Sequence, residues 1–133
     1  MTGASELRRP RVRVLLTTFD GERWLEEQLA SLRAQVRVEV SVVASDDSST
    51  DRTPAILEAA AKAGGLAVLP KLPERFGNAH RNFMRLIRDT PLDDAEYFAL
   101  SDQDDIWLPE KLARAVEVLR GTGADVYGSN VTA

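Results

Sequence analysis

The sequence holds no cysteine. That absence removes disulfides, zinc fingers, iron–sulfur clusters and thiol nucleophiles together. Histidine is nearly absent too: His80 stands alone, with no metal-ligand spacing around it, and reads as a surface residue. No apolar run approaches the roughly 20 residues of a membrane helix. Basic charge is not in excess, with 17 Lys and Arg against 21 Asp and Glu and a formal charge of −4. Such a chain lacks the basic footprint that non-specific nucleic-acid binding requires, so no nucleic-acid partner is expected. The glycine-rich phosphate loops are missing as well. No Gly-x-Gly-x-x-Gly follows the first strand, and no lysine sits in a Gly-x-x-x-x-Gly-Lys. Ser45, Ser48, Ser49 and Ser101 have no Gly-x-Ser-x-Gly around them.

What is present is an ordinary globular balance. The 133 residues are 44% hydrophobic and 29% charged, the size and composition of one domain. A chain of this length buries about two-thirds of its unfolded surface. Residues 1–11 carry Arg8, Arg9 and Arg11 but lack the apolar stretch of about 7–15 residues that a signal peptide needs. They read as a disordered leader closed by Pro10, and 12–133 as the folded domain.

Alternation of two patterns fills that domain. β-branched and apolar runs predict strands over 12–18, 38–44, 66–69, 97–100 and 124–127. Apolar spacing of helical period predicts helices over 22–34, 53–63, 78–88 and 109–120. In the first helix Trp24, Leu25, Gln28, Leu29 and Leu32 form the inward stripe; Trp24 and Trp107 both read as core. Pro54 and Pro109 fall where the first helical turn tolerates proline. The third helix presents Phe83, Leu86 and Ile87 inward. Strands alternating with helices require crossover connections, hence an α/β fold with a mostly parallel sheet covered on both faces.

In such a sheet ligands bind beyond the carboxyl ends of the strands. Thr17, Thr18, Phe19 and Asp20 follow the first strand, Asp46 to Ser49 the second, and Ser101 to Asp105 the fourth. Parallel strands bring all three sets to one edge, with up to six carboxylates. Like charges at that density are unfavourable unless a hard divalent cation with oxygen ligands joins them. Mg²⁺ or Mn²⁺ takes one or two protein carboxylates and completes its shell with phosphate and water, which points to a diphosphate ligand. The blander reading makes Asp46 to Asp51 an Asx turn with a helix cap, and Asp102 to Asp105 a solvated turn.

Three segments carry a resemblance: Val-Leu-Leu-Thr-Thr-Phe-Asp-Gly at 14–21, Val-Ala-Ser-Asp-Asp-Ser-Ser-Thr-Asp at 43–51, and Leu-Ser-Asp-Gln-Asp-Asp-Ile-Trp-Leu-Pro-Glu-Lys-Leu at 100–112. With the Gly-Asn-Ala-His-Arg-Asn-Phe entry at 77–83, they resemble the family 2 inverting glycosyltransferases of the Rossmann-like GT-A fold, rhamnosyltransferase-like branch. Ser48 replaces the glycine of the family's Asp-Asp-Gly-Ser-Thr-Asp. The resemblance implies that Thr17, Thr18, Asp20, Asp47 and Asp102 bind the nucleotide, Asp47 through a ring N–H of the base. It implies that Asp104, with Asp102, holds Mn²⁺ or Mg²⁺ as the family's Asp-x-Asp, and that Arg81 or His80 approaches the diphosphate. It further implies a UDP-sugar or dTDP-sugar donor, a glycan or lipid-linked acceptor, inversion by direct displacement, and a place in polysaccharide biosynthesis. A cytoplasmic location, at or near the inner face of the membrane, goes with it.

Family members commonly carry a second half that binds the acceptor and supplies the catalytic base. No base is assigned in this chain, which reads as the donor-binding half, with a homo-oligomer or a partner chain covering the open side of the sheet. Two other readings stay open. One is a non-catalytic or partner-dependent nucleotide-sugar-binding module. The other is a receiver-like phosphoacceptor domain, also a small α/β fold with an acidic strand edge.

Overall fold

The computed structural model describes residues 9–91, 95–102 and 105–123. Among the described residues four strands and four helices alternate: β1 (Arg11–Thr18), α1 (Glu22–Arg33), β2 (Glu39–Asp46), α2 (Thr53–Ala63), β3 (Leu66–Val68), α3 (Ala79–Asp89), β4 (Tyr97–Ser101) and α4 (Lys111–Thr122). The sheet order is β3-β2-β1-β4 and every pairing is parallel. This is the 3-2-1-4 order of the doubly wound nucleotide-binding sheet. A receiver-like domain has the order 2-1-3-4-5, with β3 beside β1, so that reading is set aside by topology.

β1 is central, and its pattern explains why. Val12, Val14 and Leu16 enter one core cluster with Leu25, Leu29 and Leu32 of α1, Leu57 of α2 and Leu112 and Val116 of α4. Leu15 points the other way, packing with Val43 and with Leu86 of α3. Residues 14–18 are buried without interruption, as a strand covered on both faces must be. Helices therefore lie on both faces, three on one and α3 on the other.

Four sequence expectations shift. Trp24 is 39% exposed, with Arg23 stacked over its ring, and Leu25 takes the core position; Trp107, 7% exposed, is core as expected. Ile87 is exposed, so α3 packs through Leu86 and Phe83. α4 begins at Lys111, with Glu110 as its N-cap; Pro109 lies in the turn before it, where its carbonyl accepts a bond from Val36 N–H. Asn78 is the N-cap of α3 rather than its first residue, its side chain accepting from Arg81 N–H. The strand expected over 124–127 lies outside the described residues, as do residues 1–8 of the expected leader.

Two loops exchange their helix caps. Neither α1 nor α2 has a side-chain cap from its own N-cap residue. Instead Thr53 Oγ1 accepts from Gly21 N–H, and Asp51 accepts from Glu22 N–H as well as from Thr53 N–H. In return Glu22 accepts from Arg52 N–H at 3.1 Å. The β1–α1 and β2–α2 loops are thereby joined into one ledge over the carboxyl end of the sheet. Burial pushes the Asp51 carboxyl up, but hydrogen bonds from Thr53 and Glu22 outweigh it and hold the group below the usual carboxylate range.

Candidate functional site

The carboxyl ends of β1, β2 and β4 meet as the parallel register requires, since Thr18 pairs with Asp46 and Leu16 with Ser101. Successive side chains of a strand point to opposite faces, and the two threonines that end β1 serve different neighbours. Thr17 Oγ1 donates to Asp102 Oδ1 at 3.0 Å, bridging β1 to the turn after β4. Thr18 Oγ1 donates to Asp46 Oδ1 at 2.7 Å, bridging β1 to β2. Both threonines are buried, so each hydroxyl needs such a partner.

The carboxylates on this edge are not equivalent. Asp46 is turned back on its own loop, accepting from Ser49 Oγ at 2.6 Å and Ser49 N–H at 2.9 Å. Asp20 is exposed and accepts from Thr50 N–H, while its own N–H donates to Ser49 Oγ. Asp47 is buried and accepts from Phe76 N–H at 2.6 Å and Gly77 N–H at 3.0 Å. Backbone amides thus offset much of the repulsion that a cation alone was expected to relieve. Ser48, at the family's glycine position, has φ 56°, in the left-handed region that favours glycine.

Asp47 anchors the loop that leads into α3. Arg75 lies 3.8 Å from its carboxylate, and the Arg75 guanidinium stacks on the Phe19 ring at 4.0 Å from the centroid. The Phe19–Arg75 pair therefore stands over the carboxyl ends of β1 and β2. His80 and Arg81 are exposed at the start of α3. Beneath them the α3 side chains Asn82 and Arg85 are buried against β2: Asn82 Nδ2 donates to Ser45 O, and Arg85 donates to Ser45 Oγ and Pro70 O.

Asp102 is exposed just past the end of β4, with one carboxylate oxygen fixed by Thr17. Its N–H donates to Asp105 Oδ2 and its carbonyl accepts from Asp105 N–H, closing a tight acidic turn. Asp104 lies outside the described residues. Among the described residues no three His, Asp or Glu side chains gather into a metal cage. The donor set still fits a hard cation: an exposed, oriented carboxylate that supplies one or two ligands and leaves the remainder to phosphate and water.

Three contributors were not assigned from sequence. Phe19 and Arg75 are one, since their contact joins residues far apart in the chain. Arg85 is another, a charged residue in a helix with an otherwise clear exterior. The third is Gln28, placed in the inward stripe of α1 and now seen to be fully buried as a polar group there. Its signal was in plain view: a glutamine where the stripe calls for leucine.

The sequence and the fold that carry this site have counterparts among known proteins. Residues 13–133 match the model of glycosyl transferase family 2. The chain is 42% identical over 120 residues to a dTDP-rhamnosyl transferase of Shigella flexneri, covering 89% of this chain and 41% of that one. It is similar in structure to S. aureus TarS (residues 1–349) in complex with UDP, with TM-score 0.71 and 26% identity, over 92% of this chain and 38% of that one. It is also similar to a mannosyltransferase from Pyrobaculum calidifontis in complex with GDP-Man and Mn²⁺, with TM-score 0.68 and 30% identity, over 84% of this chain and 33% of that one. The chain spans about two-fifths of the length of the Shigella relative, and still less of a Nostoc glycosyltransferase that is 26% identical. With the parallel 3-2-1-4 sheet and the three motifs at one edge, these matches settle the family: the chain belongs to glycosyl transferase family 2 and has the GT-A fold.

Proposed function

We propose that this chain binds a nucleoside-diphosphate sugar at the carboxyl edge of its sheet and serves a glycosyltransferase that passes the sugar, with inversion, to a glycan or lipid-linked acceptor. The Thr17–Asp102 bond carries the reading, because it holds an exposed carboxylate in a fixed orientation over the strand ends where diphosphates bind. A dTDP-sugar, and dTDP-rhamnose in particular, is the donor we favour, by likeness to the Shigella transferase. UDP-sugars are the runner-up, by likeness to the UDP-bound S. aureus protein.

Each residue then has a task. Phe19 and Arg75, stacked on each other, border the nucleoside, and Asp47 holds the 76–77 backbone in place. Thr17 and Thr18 brace the strand ends, and Asp20 ties the ledge that borders the nucleoside. Asp102 and Asp104 would hold Mn²⁺ or Mg²⁺, which when bound supplies Lewis-acid neutralisation of charge on the departing diphosphate. An acceptor hydroxyl attacks the anomeric carbon, its proton passes to a general base, and the nucleoside diphosphate leaves.

Calorimetric titration with dTDP and UDP, each with Mn²⁺ and with EDTA, tests the binding half of this proposal. Metal-dependent binding, tighter for dTDP, is expected. Equal binding in EDTA would contradict a donor site built on Asp102 and Asp104.

A further inference from the structure

The segment 102–110 joins β4 to α4 and carries the acidic turn, yet its described residues have no helix or strand of their own. Several of its bonds run to one face of α1 and to the residue just past it. Gln28 Nε2 donates to Ser101 Oγ at 3.1 Å and to Asp102 O at 2.6 Å. Ser31 Oγ accepts from Trp107 N–H at 3.2 Å. Gln35, just past the helix, donates to Leu108 O at 2.8 Å and accepts from Leu112 N–H at 3.0 Å. Positions i, i+3 and i+7 lie on one helical face, so the three polar groups form a ladder along the segment.

Gln28 is the unusual rung. It is 0% exposed, and among the described residues its Oε1 has no hydrogen-bond partner. A buried amide oxygen without a donor is destabilising. An apolar side chain of the same length would fit between Leu25 and Leu32 without that cost. What the glutamine provides is its donor end, and both acceptors of that donor stand at the start of the acidic turn. Thr17 holds the Asp102 carboxylate and Gln28 holds the Asp102 carbonyl, so side chain and backbone of one residue are fixed from two elements.

We infer that Gln28 is a positioning residue for the donor site: it sets the Asp102 turn in register with the end of β1. What the turn binds rests on the proposed function above; the holding of the turn does not. Gln28→Met in the 133-residue chain keeps length and apolar volume while removing both the donor and the orphaned oxygen. Its melting temperature is expected to stay within about 3 °C of wild type. Hydrogen exchange at the amides of 101, 102 and 105–107 is expected to rise about tenfold, with β1 unchanged. Affinity for dTDP with Mn²⁺ is expected to fall about tenfold. Gln35→Met is the contrasting variant: it lowers the melting temperature, because Leu108 O and Leu112 N–H lose their partner, and leaves exchange at Asp102 and dTDP affinity within about twofold.

Unchanged exchange at 101–107 in Gln28→Met, or equal loss of nucleotide affinity in the two variants, overturns the inference. Raised exchange in Gln28→Met, in a chain whose wild type binds neither dTDP nor UDP, upholds the holding role and overturns the donor reading instead. Should Gln28→Met fail to fold, Ser101→Ala removes one of the two acceptors and is expected to raise the same exchange rates about threefold; no rise overturns the inference.

Discussion

Asp47 shows how one residue type can be legible while its use is not. The doubled aspartate at 46–47 marks a site in the sequence, and each carboxylate does find a distinct task. Asp46 closes an Asx turn on Ser49, a local pattern readable from spacing. Asp47 reaches the amides of Phe76 and Gly77, 29 and 30 residues on, which no local pattern reveals. Hydrogen bonds to a buried charge contribute about 1.5–3 kcal/mol. Asp47→Ala is therefore expected to lower the melting temperature by several degrees and weaken dTDP and UDP alike by tenfold or more. Thermal scans and titration check both; unaltered affinity would separate Asp47 from the nucleotide. Ser48 was legible in a subtler way, since its φ of 56° explains why the family places glycine there.

At the scale of elements, alternation of strand and helix was readable from apolar period alone, and α2 over 53–63 appears with the expected bounds. The ends of elements were less so, for a physical reason. The caps of α1 come from Asp51 and Thr53 in the other loop, so the local sequence before α1 holds no cap to read. Asp51 serves both helices, and Asp51→Ala is expected to cost about 1–2 kcal/mol, at the level of a lost N-cap. Chemical denaturation measures it; a change below a few tenths of a kcal/mol would mean that water replaces the exchanged caps.

The α3 helix carries a pH dependence of its own. Arg88 first, and then Arg85, hold the Asp89 carboxyl down to about 2. A depressed carboxyl contributes stability above its unfolded value of about 4, and loses it as pH falls through about 2. Because Arg85 is buried and also tethers Ser45 and Pro70, the loss reaches the packing of α3 on β2. Asp89→Asn is expected to melt lower than wild type at neutral pH, with the gap closing between pH 4 and 2. A gap that persists at pH 2 would place its origin elsewhere than in this ion pair.

For the molecule as a whole, a parallel α/β sheet with its acidic groups on one edge follows from strand order alone, and that is what the sequence pattern implied. The uneven cover of the sheet was not readable. α3 covers Leu15 and Val43, whereas Phe98 and Leu100 of β4, which pair with Arg13 and Leu15, remain exposed, as do Met84 and Ile87 of α3. An alternating strand pattern does not state which faces the helices reach, so Ile87 read as core.

The account stands or falls on whether that acidic edge grips a diphosphate through a cation. The direct measurement is titration of wild type and Asp104→Asn with dTDP in Mn²⁺, alongside thermal melting of both. The account predicts binding by wild type, at least tenfold weaker binding by Asp104→Asn, and equal melting temperatures. Undiminished affinity of the folded variant in Mn²⁺ would contradict it.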